Sequence, residues 1–117
     1  MRHLVRVLFC MSLVAAMASA AQVNGVLIDK MCSAKVVNGG GQKVAAEHDR
    51  DCALADACVK SGYGVYTSDG KWLLLDDAGN KQALAALKAS KKEDNLKVVV
   101  TGDVSGDTIK VASLKLL

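Results

Sequence analysis

A chain of 117 residues that is 51% hydrophobic, 3% aromatic and free of proline has room for one domain with a modest, aliphatic core. It carries 15 Lys+Arg against 12 Asp+Glu. Two of the arginines, Arg2 and Arg6, sit in a cleavable N-terminal signal, so the rest of the chain has 13 basic against 12 acidic residues. A near-neutral domain has no general electrostatic pull toward nucleic acid or anionic membrane, and nucleic acid is not expected as a partner.

Residues 1–20 read as a secretory signal peptide. Arg2 and Arg6 give the positive start, and residues 7–17 are apolar apart from Ser12, too short to span a bilayer comfortably. Ala18-Ser19-Ala20 has the small-x-small form of a cleavage site, which puts the mature start at Ala21. Cys10 follows Phe9, where a lipoprotein signal wants a small residue, so Cys10 is discarded with the signal. The expected product is a soluble single domain, residues 21–117, in the periplasm or outside the cell, with no membrane span after cleavage.

The first strand is expected over residues 23–29, where Val26, Leu27 and Ile28 follow Gly25. An insertion of about residues 30–60 follows. Within it, residues 35–42 hold Gly39-Gly40-Gly41 and read as a loop, and residues 43–59 read as one or two short helices. Residues 62–67 form a second strand, Asp69-Gly70 a two-residue hairpin turn, and residues 72–76 the return strand. That turn would set Thr67 opposite Trp72 and put Tyr66 on one face with Leu73 and Leu75. Residues 77–80 supply caps for a helix over residues 81–90, with Ala83, Leu84, Ala86 and Leu87 along one side. Leu96, Val98, Val100 and Val104 mark a fourth strand, and Ile109, Val111, Leu114 and Leu116 a fifth. The apolar parity of the fifth slips by one near Ala112-Ser113, which predicts a bulge or bend.

With the insertion set aside, the order is β-β-β-α-β-β. That is the order of an OB-fold, a five-stranded Greek-key barrel plugged by its helix. The expected class is mainly β with helices, OB-fold-like, with a helical Cys/His insertion between strands 1 and 2. A five-stranded sheet with one packed helix, not closed into a barrel, is the alternative. Tyr63, Tyr66 and Trp72 would lie on strands 2 and 3. They read as core rather than as a stacking face for bases or sugars.

Two stretches resemble known proteins. Val100-Thr101-Gly102-Asp103-Val104, a short turn and the run from Ile109 to Leu114 resemble the last hairpin of small exported bacterial OB-fold proteins. The set Asp29, Cys32, His48, Cys52-Ala53, Cys58 and Gly62 resembles a loose group of small secreted bacterial proteins of unassigned function. There a strand ending in Asp is followed by Cys, then His, Cys-Ala, another Cys and a glycine. The resemblance implies no known reaction.

The chemistry concentrates in Cys32, His48, Cys52 and Cys58. Loss of Cys10 leaves three cysteines, an odd number in an oxidising compartment. One account is a metal site. His48 and Cys52 are four apart and would share a helix face, with Cys32 and Cys58 closing a Cys3His set for Zn²⁺ or for Cu(I). The other account is a disulfide from Cys32 to Cys52 or Cys58, with one thiol over. A Cys52–Cys58 bond would need a break in the helix, because a rise of about 1.5 Å per residue places them roughly 9 Å apart. A catalytic or redox cysteine with His48 as its base is a third account, lacking both a C-x-x-C and an evident orienting group. The sequence thus points to a non-enzymatic binding or envelope-associated module, its partner unidentified, another exported protein being one candidate. The alternatives are a disulfide-stapled module without metal and, more remotely, a thiol-redox protein.

Overall fold

The computed structural model describes residues 20–117; residues 1–19 of the expected signal lie outside the described residues. Five strands, β1 (Ala21–Asp29), β2 (Tyr63–Thr67), β3 (Trp72–Leu75), β4 (Lys97–Ser105) and β5 (Thr108–Leu116), form a single mixed sheet. Four of the five pairings are antiparallel, and β3 pairs β5 in parallel. Every strand has two neighbours, so the sheet closes on itself in the order β1-β2-β3-β5-β4. The β3–β5 seam that completes the ring is short, with Leu74 pairing Thr108 and Leu75 pairing Ile109. Among the described residues no helix is long and apolar enough to cross a membrane.

The alternation of apolar residues explains the interior. Val98 and Val100 on β4 are buried while Val99 and Thr101 between them are partly exposed, as a pleated strand requires. On the same inner face stand Leu27 from β1, Val65 from β2 and Ile109 from β5, all fully buried, while Ile28 points to the opposite face and is buried there. Helix α5 (Asp77–Ala89) adds Ala83 and Leu87 to this core. Its start is fixed by Asp76, whose Oδ1 accepts from the N–H of Gly79 at 2.9 Å and of Val111 at 3.2 Å. One carboxylate oxygen therefore caps the helix and ties it to β5. The helix begins four residues before residue 81, because Asp76 rather than a residue of 77–80 serves as the cap.

The expected bulge is present. Thr101 pairs Ser113 and Gly102 pairs Val111, leaving Ala112 as the extra residue on β5. The β2–β3 register differs from expectation by one. Tyr66, not Thr67, faces Trp72, and Val65 faces Leu73. Directly opposed residues share a face, so Tyr66 sides with Trp72 and not with Leu73. The cause is a three-residue turn. Thr67 N–H donates to Lys71 O at 2.8 Å, and Gly70 adopts φ 83°. The Thr67 side chain favours the longer turn, donating its hydroxyl to Asp69 and accepting from the Lys71 N–H at 2.9 Å. Trp72 then lies over Gly64, where an added Cβ would stand 2.6 Å from its ring.

The insertion is more helical than expected. A 3₁₀ turn (Lys30–Cys32), α1 (Ser33–Lys35), a π-helical turn (Val36–Gly40) and α2 (Gly41–Glu47) run on one after another. Residues 35–42 are therefore wound rather than a loop. Burial of Val36 at their start anchors the winding, and Gly41 absorbs a positive φ of 54°. Then follow α3 (Arg50–Ala53) and α4 (Asp56–Ser61).

The β1–β2 contact is close enough to be tested. A Cβ on Gly25 would stand 2.3 Å from the Tyr66 carbonyl oxygen, a backbone atom that cannot swing aside. Gly25→Ala should lower the unfolding free energy by about 1–3 kcal/mol, as overpacking does, measured by urea denaturation.

Candidate metal centre

Several backbone contacts lock the insertion onto the barrel. The Lys30 N–H donates to Gly62 O at 2.8 Å, and the Asn95 N–H to Ala46 O at 2.8 Å. The Tyr63 hydroxyl donates to Ala53 O at 2.7 Å, holding the end of α3 against β2. Arg50 donates from Nε to Leu87 O at 2.7 Å and from its terminal nitrogen to Lys88 O at 3.3 Å, near the C-terminus of α5. A cation there satisfies carbonyls that have no helical partner. Gly62, with φ 81°, lets the chain leave α4 for β2. The insertion's polar groups are thus carried by the rigid sheet.

At its base lies Asp29, the last residue of β1, with no solvent exposure. One oxygen accepts the Cys32 N–H at 2.9 Å and so caps the 3₁₀ turn. The other is 2.7 Å from His48 Nε2. Burial is the largest single influence on this carboxyl and opposes its ionisation. The His48 hydrogen bond, the Cys32 N–H and the charge on His48 together outweigh it and hold Asp29 below its ordinary value. His48 itself ends α2 in an extended conformation, and Asp49 caps α3 by accepting the Cys52 N–H at 2.6 Å. His48 and Cys52 therefore belong to two successive short helices rather than to one face of one helix.

The side-chain donors of Asp29, Cys32, His48 and Cys52 all lie within 4.8 Å of one another. The Cys32 and Cys52 sulfurs are 3.8 Å apart. Two thiolates on a tetrahedral zinc at about 2.3 Å would be separated by about 3.8 Å, so this edge already has the spacing of a metal site. The Asp29–His48 edge does not. Its 2.7 Å is a hydrogen bond, and an ion bound by both atoms would spread them to about 3.3 Å. The three cysteines among the described residues are free thiols, and the 3.8 Å between the Cys32 and Cys52 sulfurs is well beyond the bond length of about 2.05 Å.

Of Cys32, His48, Cys52 and Cys58, the structure brings the first three together with Asp29. Asp29 is the converging fourth donor, and the sequence reading did not weigh it as a ligand. The available signal was its place: an ionisable residue ending an apolar strand, three residues before Cys32. Cys58 is buried beside Asp29 and Cys32 but stands outside the set of four. Between Cys52 and Cys58 the helix does break, at Leu54-Ala55.

Burial and then the charge of Asp29 push the Cys32 thiol up to about 12. Burial and contact with Asp29 push Cys58 up to about 11. Both thiols are therefore protonated near neutrality, the reverse of what a nucleophilic cysteine needs. A cation at the cluster would invert this balance, because its charge stabilises thiolates that Asp29 now disfavours. Comparison with protein-family models, curated proteins and solved structures finds no match for this chain.

The raised thiols set a pH dependence. The folded chain holds their protons above the ordinary value of 9.0, at which the unfolded chain releases them. Rising pH then favours unfolding, so their contribution is full below about pH 9 and is lost toward pH 11–12. Urea melts of the reduced, metal-free protein should show stability falling across pH 9 to 11, with a shallower fall in Cys58→Ala.

Proposed function

We propose that this chain is an exported OB-fold module, non-enzymatic and envelope-associated, whose insertion binds a transition-metal ion. Zinc fits the set of two sulfurs, one imidazole and one carboxylate best; copper is the other thiophilic choice. The observation that carries the reading is the convergence of Asp29, Cys32, His48 and Cys52 within 4.8 Å. The ring order β1-β2-β3-β5-β4, with α5 between β3 and β4, supports the OB assignment. Export rests on the signal-like residues 1–20. Such a module has the means to present its bound ion to another exported protein.

A second reading has its own observation. Cys32 and Cys52 are near neighbours, and closing 3.8 Å to a bond would make the insertion a disulfide-stapled interaction module without metal. Intact mass separates the two readings. Protein taken from an oxidising compartment would be lighter by about 2 Da if the bond forms.

Zinc added to the reduced protein should bind one equivalent and release protons, because its thiol ligands must ionise. At zinc one hundredfold above Kd, the unfolding free energy should rise by about 2.7 kcal/mol. His48→Ala and Asp29→Asn variants that keep the wild-type far-UV circular dichroism should lose most of this gain. Isothermal titration in two buffers of different ionisation enthalpy reads both affinity and proton release.

A further inference from the structure

Cys32 and Cys52 supply half of the four converging donors, and their sulfurs stand 3.8 Å apart. That spacing serves two kinds of bond. It is the span of two thiolates on one zinc, and about 0.9 Å of travel by each sulfur would close it to a disulfide of about 2.05 Å. Both backbones are held in place. The Cys32 N–H donates to Asp29 Oδ2 at 2.9 Å, and the Cys52 N–H to Asp49 Oδ1 at 2.6 Å. The travel therefore falls to the side chains.

The two sulfurs differ in access. Cys32 is 8% exposed, whereas Cys52 is only half-buried. A disulfide arriving from solvent meets Cys52 first, and Cys32 waits behind it. Half-burial of Cys52 also favours a slim attacking molecule over a folded protein. The other two donors tolerate loss of the ion. Asp29 and His48 share a 2.7 Å hydrogen bond, and the second Asp29 oxygen accepts the Cys32 N–H. A buried carboxylate paired in this way is satisfied without a cation.

Resting on the metal-binding reading above, we infer that the centre is redox-gated. An organic disulfide of low molecular weight oxidises Cys32 and Cys52 to a disulfide and expels the ion; reduction readmits it. The Cys52 sulfur attacks one sulfur of the incoming disulfide, breaks its S–S bond and releases one thiolate. The Cys32 sulfur then attacks Cys52 in the mixed disulfide and releases the second. The new S–S bond costs the two cysteines two electrons, which leave on the two released thiolates; these take protons from solvent. The metal keeps its oxidation state. It departs because two of its four ligands are now bonded to each other and neutral, while Asp29 and His48 satisfy each other. By linkage, a bound ion protects the dithiol by the same factor that oxidation weakens the ion.

The test adds glutathione disulfide, without oxygen, to the reduced, zinc-loaded protein in the presence of a colorimetric zinc indicator. One equivalent of zinc should appear as the protein mass falls by about 2 Da, and a dithiol reductant should restore binding. Zinc affinity of the oxidised protein should be at least about 100-fold lower, more than an outer-shell change costs. Saturating zinc should shift the equilibrium with the glutathione pair toward the dithiol by the same factor. Peptide mapping of the oxidised wild type, which needs no variant to fold, should find Cys32 joined to Cys52 and Cys58 still a thiol. Cys32→Ser should stop at a glutathione adduct on Cys52, because the resolving sulfur is gone. A bond that includes Cys58, an adduct that forms first on Cys32, or oxidation that leaves zinc bound would overturn the inference. Zinc binding by a protein that glutathione disulfide does not oxidise overturns it and leaves the metal reading standing. Failure of the reduced wild type to bind zinc removes both.

Discussion

A carboxylate with no access to water has to be compensated, and Asp29 is such a group. An isolated buried charge would cost many kcal/mol, so Asp29 requires partners, and the insertion supplies them. The Cys32 N–H comes from the turn directly after β1, and His48 comes from the end of α2. The winding of the insertion therefore follows from satisfying one strand-end residue. With no buried side-chain N or O atom left unpaired among the described residues, the compensation is complete. The compensation also brings Cys32 and Cys52 together, because each lies within a turn of a residue that Asp29 or Asp49 fixes.

This arrangement has a cost that points to its use. A fixed negative charge beside neutral thiols keeps them protonated, which suits neither a nucleophile nor a stable thiolate. It suits a cation. A positive ion among these groups finds anionic and soft donors at one point, and converts an electrostatic conflict into ligation. The closed sheet beneath supplies rigidity, since Asp29 and Tyr63 are paired across β1 and β2, and Tyr63 also holds α3. A site supported this way has its geometry set by strands rather than by the insertion alone.

Much of the frame was legible from pattern. Strand and helix order followed from alternation and helical periodicity, and the slip in parity at Ala112 correctly marked the bulge. The β2–β3 register was not legible, because Asp-Gly is read as a two-residue turn, while the Thr67 hydroxyl stabilises a turn one residue longer. The wound segment after Lys35 was hidden by its three glycines, whose low helix propensity was overridden by burial of Val36. In the centre, the cysteines and His48 stood out by residue type. Asp29 did not, because a lone Asp after a strand normally signals a turn or a cap, and its enclosure is a property of the fold. The His48–Cys52 spacing led to neighbouring groups for a reason other than the helical one: two short helices meet there, with Asp49 capping the second.

The account stands or falls on an ion occupying the cluster. A crystal of the reduced protein grown with zinc, measured on both sides of the zinc absorption edge, tests this directly. The prediction is one anomalous peak about 2.3 Å from both the Cys32 and Cys52 sulfurs and about 2.0–2.2 Å from His48 and Asp29, with their hydrogen bond opened. A cluster with no peak, its His48–Asp29 hydrogen bond still at 2.7 Å, would contradict it.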